Sequence, residues 1–329
     1  MHQRHIPALL GLLLGAAALL GLTAPSHAAF PGRNGKIAVA YFDDPSGGVG
    51  PARWGIGLLN ANRAPSQERA EVIECTDERI PPRECPLDHS SPAFSPNGRW
   101  IAFDRGRRIA VVRTNGTGLR LLPVVGTDPG NPAWSPKGDR IVFDAARSTA
   151  VRAVRDLYVV PASGSGRAKR VARNAGNPTW SVRGLLAFER PFASIPPAPR
   201  RIWVSQASGA GARPVSSGTA SRPDFSRDPD FSPDGKRLLY FSLARSRLTV
   251  VGTDGRGTRR LAAATAAAQH PAWSPDGRRL AWSWNGIYVA RADGTHARRI
   301  AKDRAGPMGS FSFSTFSPSW QPLAPFAAR

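Results

Sequence analysis

The stretch His270-Pro-Ala-Trp-Ser-Pro-Asp-Gly-Arg-Arg-Leu-Ala-Trp282 decides how the whole chain is read. A short segment ends in an aromatic, a Ser-Pro-Asp-Gly turn follows, and an apolar segment runs on. Proline presets φ at the turn and Gly277 accepts a backbone conformation that side chains resist, so the chain reverses there. The pattern recurs as Ser91-Pro-Ala-Phe-Ser-Pro-Asn-Gly98, Asn131-Pro-Ala-Trp-Ser-Pro-Lys-Gly138, Asn177-Pro-Thr-Trp-Ser-Val-Arg-Gly184 and Asp228-Pro-Asp-Phe-Ser-Pro-Asp-Gly235. In all five copies the aromatic stands four residues before the glycine, and neighbouring copies lie 40 to 51 residues apart. Such a spacing, repeated at such an interval, marks a repeat fold.

Each copy leads into further strand signals. An apolar run follows the turn (Trp100–Phe103, Arg140–Phe143, Leu185–Phe188, Leu238–Phe241, Leu280–Trp282), and a third follows it (Ile109–Val112, Leu157–Val160, Ile202–Val204, Leu248–Val251, Ile287–Val289). These runs are rich in β-formers and nearly continuous in hydrophobicity, as strands buried on both faces are. Pairs such as Asn115-Gly116, Asp254-Gly255 and Asp293-Gly294 then mark tight hairpins before a short fourth strand such as Arg298–Ile300. No stretch keeps a helical period. Four antiparallel strands per unit of this length is the content of a propeller blade.

The two ends of the chain complete the count. Asn34-Gly-Lys-Ile-Ala-Val39 matches the second half of the repeat without an aromatic ahead of it, and Ser317-Pro-Ser-Trp320 matches the first half without a glycine behind it. Each end carries what the other lacks. The expected fold is therefore all-β: a six-bladed β-propeller of four-stranded antiparallel blades over residues 30–322, closed by N- and C-terminal strands that share one blade, with 323–329 as a tail. Sharing a blade hides two raw sheet edges.

Residues 1–28 read as a secretory signal, with Arg4 and His5 ahead of an apolar run and Ser26-His-Ala28 at the cleavage position. No cysteine follows that position and no other apolar run approaches a span, so the mature protein is expected to be exported, periplasmic or extracellular, without a membrane span, and monomeric. Cys75 and Cys85 are the only cysteines. In an oxidising compartment such a pair is expected to close a disulfide; a zinc site is the rival, but two thiolates without nearby histidines make a poor shell. The 44 basic and 23 acidic residues beyond position 28 leave an excess of 21 positive charges. That field favours anionic partners, including a cell-wall polymer. Only five of the 45 basic residues of the full chain are lysines, and doublets such as Arg259-Arg260 follow the hairpin turns, where charge guards an outer edge. Export argues against nucleic acid as the partner.

The repeat Pro-x-Trp-Ser-Pro-Asp-Gly, with a basic residue and an apolar strand after it, resembles the TolB-type, WD-repeat-like propeller family over roughly residues 30–322. The resemblance implies a propeller of the cell envelope that acts through protein contacts at the mouth of its channel. It covers the propeller alone, since the α/β domain that precedes it in TolB has no counterpart between the signal and the first blade. A role in a Tol–Pal system is therefore not carried over.

Six polar residues precede a proline at the same place in each unit: Ser91, Asn131, Asn177, Asp228, His270 and Ser317. If the inner strands start at one end of the channel, these form a polar ring at its mouth, able to grip a peptide, a glycan or a cation. The plainer reading is that short polar side chains cap the local backbone, which suits His270 least. No nucleophile elbow, zinc-protease motif, phosphate loop or dinucleotide fingerprint is present, and only His89, His270 and His296 lie beyond the signal. Asp228, Asp230 and Asp234 lack the ligand order of a calcium loop. The expected function is thus a non-catalytic propeller, with no cofactor or metal, that binds an envelope or secreted protein or peptide, acidic if the charge takes part. The alternative is a metal-dependent carbohydrate-active or hydrolytic propeller using Asp228, His270 and the nearby amides.

Overall fold

The computed structural model describes residues 29–43, 53–62, 70–74, 89–149, 154–191, 199–217, 224–262, 265–305 and 311–323. The leader and both cysteines lie outside the described residues. Strands β1 (Arg33–Asp43), β2 (Arg53–Leu59) and β3 (Ala70–Glu74) come first and belong to the closing blade. Blade one holds β4 (His89–Phe94), β5 (Trp100–Arg105), β6 (Arg108–Arg113) and β7 (Arg120–Leu121). Blade two holds β8 (Thr127–Trp134), β9 (Arg140–Ala146), β10 (Arg155–Pro161) and β11 (Lys169–Ala172). Blade three holds β12 (Gly176–Trp180), β13 (Leu185–Pro191), β14 (Arg200–Gln206) and β15 (Arg213–Pro214). Blade four holds β16 (Ser226–Phe231), β17 (Arg237–Ser242), β18 (Arg247–Gly252) and β19 (Arg259–Arg260). Blade five holds β20 (Gln269–Trp273), β21 (Arg279–Ser283), β22 (Gly286–Arg291) and β23 (Arg298–Lys302).

The last strand, β25 (Phe311–Leu323), pairs antiparallel with β1, with Trp320 opposite Ile37 and Ser319 opposite Ala38. The expected shared blade is present. It carries one strand more than expected, because the two-residue β24 (Arg304–Ala305) pairs with the far side of β25. The first strands of the blades touch in the cycle β4–β8–β12–β16–β20–β25–β4, so six blades enclose one axis.

The turn chemistry is shared by blades one, four and five. In blade two Ser135 turns to Asp139, and in blade three Ser181 Oγ accepts from the Arg183 N–H. Asp276 Oδ1 accepts from Ser274 Oγ (2.6 Å) and from the Arg278 N–H (2.9 Å), Ser274 Oγ accepts from the Arg279 N–H (2.9 Å), and Gly277 sits at φ +69°. A side chain there would be strained, and glycine is not. Ser232 and Asp234 repeat the arrangement in blade four. Between blades lie apolar layers, such as Phe94, Ile101 and Phe103 against Ala38 and Ile56. Trp273 and Trp282 are completely buried, and each large apolar side chain so placed stabilises by roughly 1.5–3 kcal/mol. Arg259 and Arg260 are exposed on the outermost strand of blade four, where charge discourages edge pairing.

Antiparallel order sorts the connections onto two faces. The Ser-Pro-Asp-Gly turns and the turns joining third to fourth strands lie at one end of the axis. The turns joining second to third strands, and the passages between blades, lie at the other.

Candidate functional site: a polar girdle at the channel mouth

Ser91, Asn131, Asn177, Asp228, His270 and Ser317 lie in the inner strands, three residues before each anchor aromatic, with Asn131 and Ser317 midway along the longer β8 and β25. All six have positive φ, between +49° and +63°. Each sits where the register between first and second strand slips, a β-bulge repeated in every blade. Asn, Asp and His enter the left-handed region more readily than other side chains, which accounts for four of the six. Their polar identity thus has a backbone cause that the spacing alone did not disclose.

The bonds these residues make run between blades. Ser91 Oγ donates to Asn131 Oδ1 at 3.4 Å, and Asn131 Nδ2 donates to Asn177 Oδ1 at 2.7 Å. Asn177 Nδ2 reaches Asp228 Oδ1 at 3.3 Å, and Asp228 Oδ2 accepts from the His270 N–H at 3.3 Å. Five consecutive blades are linked side chain to neighbour. The six residues are 0–7% exposed, so they form the lining beneath the mouth rather than its outer surface.

Behind this ring stands a row of carboxylates that sequence reasoning missed. Asp104, Asp144 and Glu189 each follow the phenylalanine of the second strand, opposite the residue before the bulge. Asp144 Oδ2 accepts from Asn131 Nδ2 of its own blade (2.8 Å) and from the Asn177 N–H of the next (2.7 Å). Glu189 Oε1 does the same with Asn177 Nδ2 (2.5 Å) and the Asp228 N–H (2.8 Å). Blade four has Phe241 at this position, under the Arg227 guanidinium at 5.2 Å, and there Asp228 itself supplies the carboxylate. Blade five has Ser283, whose hydroxyl lies 2.9 Å from His270 Nδ1. The signal was present: Phe103-Asp104, Phe143-Asp144 and Phe188-Glu189 are three successive blades with an acid after the phenylalanine.

Arginines close the charge balance on one side. Arg155 bonds Asp144 Oδ1 through Nε (2.9 Å) and Nη2 (2.6 Å) and reaches Asp128 Oδ2 at 2.6 Å. Arg200 Nη1 lies 2.8 Å from Glu189 Oε2. Burial works against the Arg155 cation, yet Asp144 and Asp128 hold its pKa above the ordinary value. Burial pushes the Glu189 carboxyl up; Arg200 opposes this and Asp228 adds to it. Burial raises Asp228 to about 6 against the pull of Arg227, and burial with the nearby Arg227 lowers His270 to about 3. His270 is therefore neutral at physiological pH, its Nδ1 committed to Ser283. Asp230 is fully buried with its pKa pushed well up by burial, and its Oδ2 accepts from the Trp273 N–H at 2.6 Å. Among the described residues, no three His, Cys, Asp or Glu side chains converge closely enough to hold a metal ion.

Directly beside His270's partner stands Trp284, 44% exposed in the tight turn after Ser283. Its ring stacks on Tyr288 (6.2 Å, 28°), which stacks in turn on buried Trp282 (5.6 Å, 9°). Leu243, 49% exposed, occupies the corresponding turn of blade four. Both turns lie at the mouth end of the axis.

Fold and site together define a six-bladed propeller with an interlocked polar mouth. The TolB beta propeller domain family model matches residues 76–277, and the chain belongs to that family. It is similar in structure to a putative TolB from Agrobacterium tumefaciens (14% identity, 88% of this chain and 99% of that one, TM-score 0.59). It is also similar to TolB from Acinetobacter baumannii (15%, 89% and 68%, TM-score 0.62) and to an oligogalacturonate lyase in complex with manganese (15%, 84% and 87%, TM-score 0.53). At these identities the likeness is one of fold. No curated protein matches the chain in sequence.

Proposed function

We propose that this propeller is an exported, non-catalytic binding protein whose channel mouth, lined by Ser91, Asn131, Asn177, Asp228, His270 and Ser317, receives a segment of an envelope or secreted protein. One observation carries the reading: Trp284 is exposed at the mouth, one residue from the hydroxyl that holds His270. An exposed tryptophan fixed by stacking contributes contact area at small entropic cost, and such residues anchor protein interfaces. The girdle holds that rim rigid while Leu243 widens its apolar part. The excess of basic over acidic residues in the whole chain favours acidic residues in the partner.

The leader supports export, and membership of a TolB-type family fits an envelope location. Among the described residues no helix is long and apolar enough to cross a membrane. In such a compartment the chain acts as a monomer. The catalytic alternative draws on the fold shared with a lyase propeller and on Asp228 beside His270. Against it, both Asp228 oxygens and His270 Nδ1 are engaged in girdle bonds. Stoichiometric metal in the purified protein, lost in His270→Ala, would favour the enzyme.

Capture from an envelope fraction tests the binding reading. The wild-type protein is expected to retain a protein partner that Trp284→Ala releases, with the variant's melting temperature unchanged. Equal capture by the double variant Trp284→Ala/Leu243→Ala would overturn it.

A further inference from the structure

The opposite face carries a second feature. At the seam between blade five and the closing blade lies a cavity of about 310 Å³, lined by Asn62, Arg279, Val289, Ala290, Arg291, His296 and Arg298. Three guanidiniums and an imidazole converge there, and no carboxylate is among the lining residues. Arg279 and Arg291 are direct cross-strand partners in β21 and β22, an arrangement of like charges that costs stability. The same position pairs Trp100 with Arg113, Arg140 with Pro161, Leu185 with Gln206 and Arg237 with Gly252 in the other four uninterrupted blades. At this position blade five alone of these sets two arginines against each other; Arg105–Arg108 in blade one and Arg190–Arg201 in blade three are such pairs at the other end of the hairpin.

The neighbouring blade holds the group in place. Arg279 Nη1 donates to Asn62 Oδ1 at 2.7 Å, and the Arg298 guanidinium donates to the Ala61 carbonyl. His296 Nδ1 donates to Thr295 Oγ1 (3.0 Å), whose own hydrogen goes to Asp293 Oδ1, so the neutral ring presents an Nε2 lone pair able to accept from a ligand hydroxyl. Two turn acids lie close enough to feel these cations. The pKa of Asp276, whose Oδ1 accepts from Ser274 and Arg278, is lowered in part by Arg279. That of Asp293, whose Oδ1 accepts from the Thr295 N–H and hydroxyl, is lowered in part by Arg291. Forked guanidinium donors around a concave space, two of them held by the closing blade, match the oxygens of a tetrahedral oxyanion. The volume, at the small end of ligand sites, admits a phosphate together with a short polyol or sugar.

We propose that this cleft binds a phosphate monoester of a polyol or sugar. The reading stands apart from the mouth, because the site lies on the other face and shares no residue with it. Calorimetric titration with glycerol 3-phosphate tests it, beside glycerol and beside vesicles containing phosphatidic acid, whose headgroup is itself a phosphate monoester. Saturable binding of glycerol 3-phosphate and none of glycerol is expected, weakened at least tenfold in Arg279→Gln/Arg291→Gln and unchanged in Arg107→Gln, which removes an exposed arginine of blade one. Arg291→Lys, which keeps the charge and loses the fork, is expected to fall between them, and its melting curve separates lost binding from lost folding. Vesicle binding that disappears in the same variants assigns the phosphate to a lipid headgroup; its absence, with soluble binding intact, assigns it to a soluble or polymer-borne ester. Absence of saturable binding, equal affinity in the double variant, or an equal loss in Arg107→Gln would overturn the proposal.

Discussion

Ile37 and Trp320 face each other in the register of β1 and β25, although they come from opposite ends of the described chain. This pair makes the ring closed, because it turns two half-repeats into one sheet. Trp320 packs with Ile37, Val39, Leu59, Ala272 and Ile287, so it joins the closing blade to blade five as well. Trp320→Ala is expected to cost about 3–5 kcal/mol, as buried tryptophan truncations do. Removing residues 311–323 is expected to do more, leaving the inner edge of β1 unpaired and the protein prone to associate. Urea unfolding and size-exclusion chromatography read both. A closing blade that tolerated Trp320→Ala within 1 kcal/mol would speak against closure through this strand.

Gly98 and Gly211 share a left-handed backbone, at φ +66° and +64°, but differ in surroundings. A Cβ at Gly98 would collide with the Pro322 carbonyl of the closing strand, whereas one at Gly211 meets nothing within 4 Å. Gly211→Ala is expected to cost about 1 kcal/mol, the conformational penalty alone. Gly98→Ala is expected to cost at least twice that, since the closing strand must shift. Equal losses in thermal melts would contradict this placement of Pro322.

Asn177 lies at the centre of the girdle, bonded to Asn131, Glu189 and Asp228. Asn177→Ala leaves a buried carboxylate short of a donor and puts a methyl group at φ +49°, with an expected loss of about 2–4 kcal/mol. Asn177→Gly removes the amide but suits the backbone, so its loss should be smaller by about 1 kcal/mol. Chemical denaturation of the two variants separates hydrogen bonding from strain.

The girdle also gives stability an acid limit. His270 is held at about 3 in the folded protein, below its ordinary 6.5. Between those values only the unfolded chain takes up the proton, so this contribution rises as pH climbs from 3 to 6.5. Asp228 acts in the opposite sense: its folded pKa of about 6 lies above the ordinary 3.8, so its contribution falls as pH climbs through that range. His270→Asn keeps a side chain suited to positive φ and removes the imidazole. Between pH 7 and pH 4.5 it should lose about 2 kcal/mol less stability than the wild type. An identical acid profile in urea titrations would show that His270 is not buried and neutral.

Blade number, turn positions and ring closure were all legible in the sequence, because each rests on local chemistry repeated at a fixed spacing. His270-Pro-Ala-Trp and its copies mark inner strands wherever they occur. The girdle was legible only in part. The shared proline located the six polar residues, but their left-handed bulges and near-complete burial arise from register slips between strands. The stapling role of Asp144 and Glu189 depends on which blade comes next in space, and a side chain's reach across a seam leaves no periodic trace. Trp284 reads in sequence as one more aromatic after a strand; only its exposed turn distinguishes it from Trp282.

Hydrogen exchange on the propeller with its captured partner bound tests the central claim most directly. Slowed exchange is expected in the mouth-side turns at Leu243–Ser246 and Ser283–Gly286, with the opposite turns at Ser274–Arg278 unchanged. Protection confined to the Ser274–Arg278 face, or to the outer strands, would contradict a partner seated over the mouth.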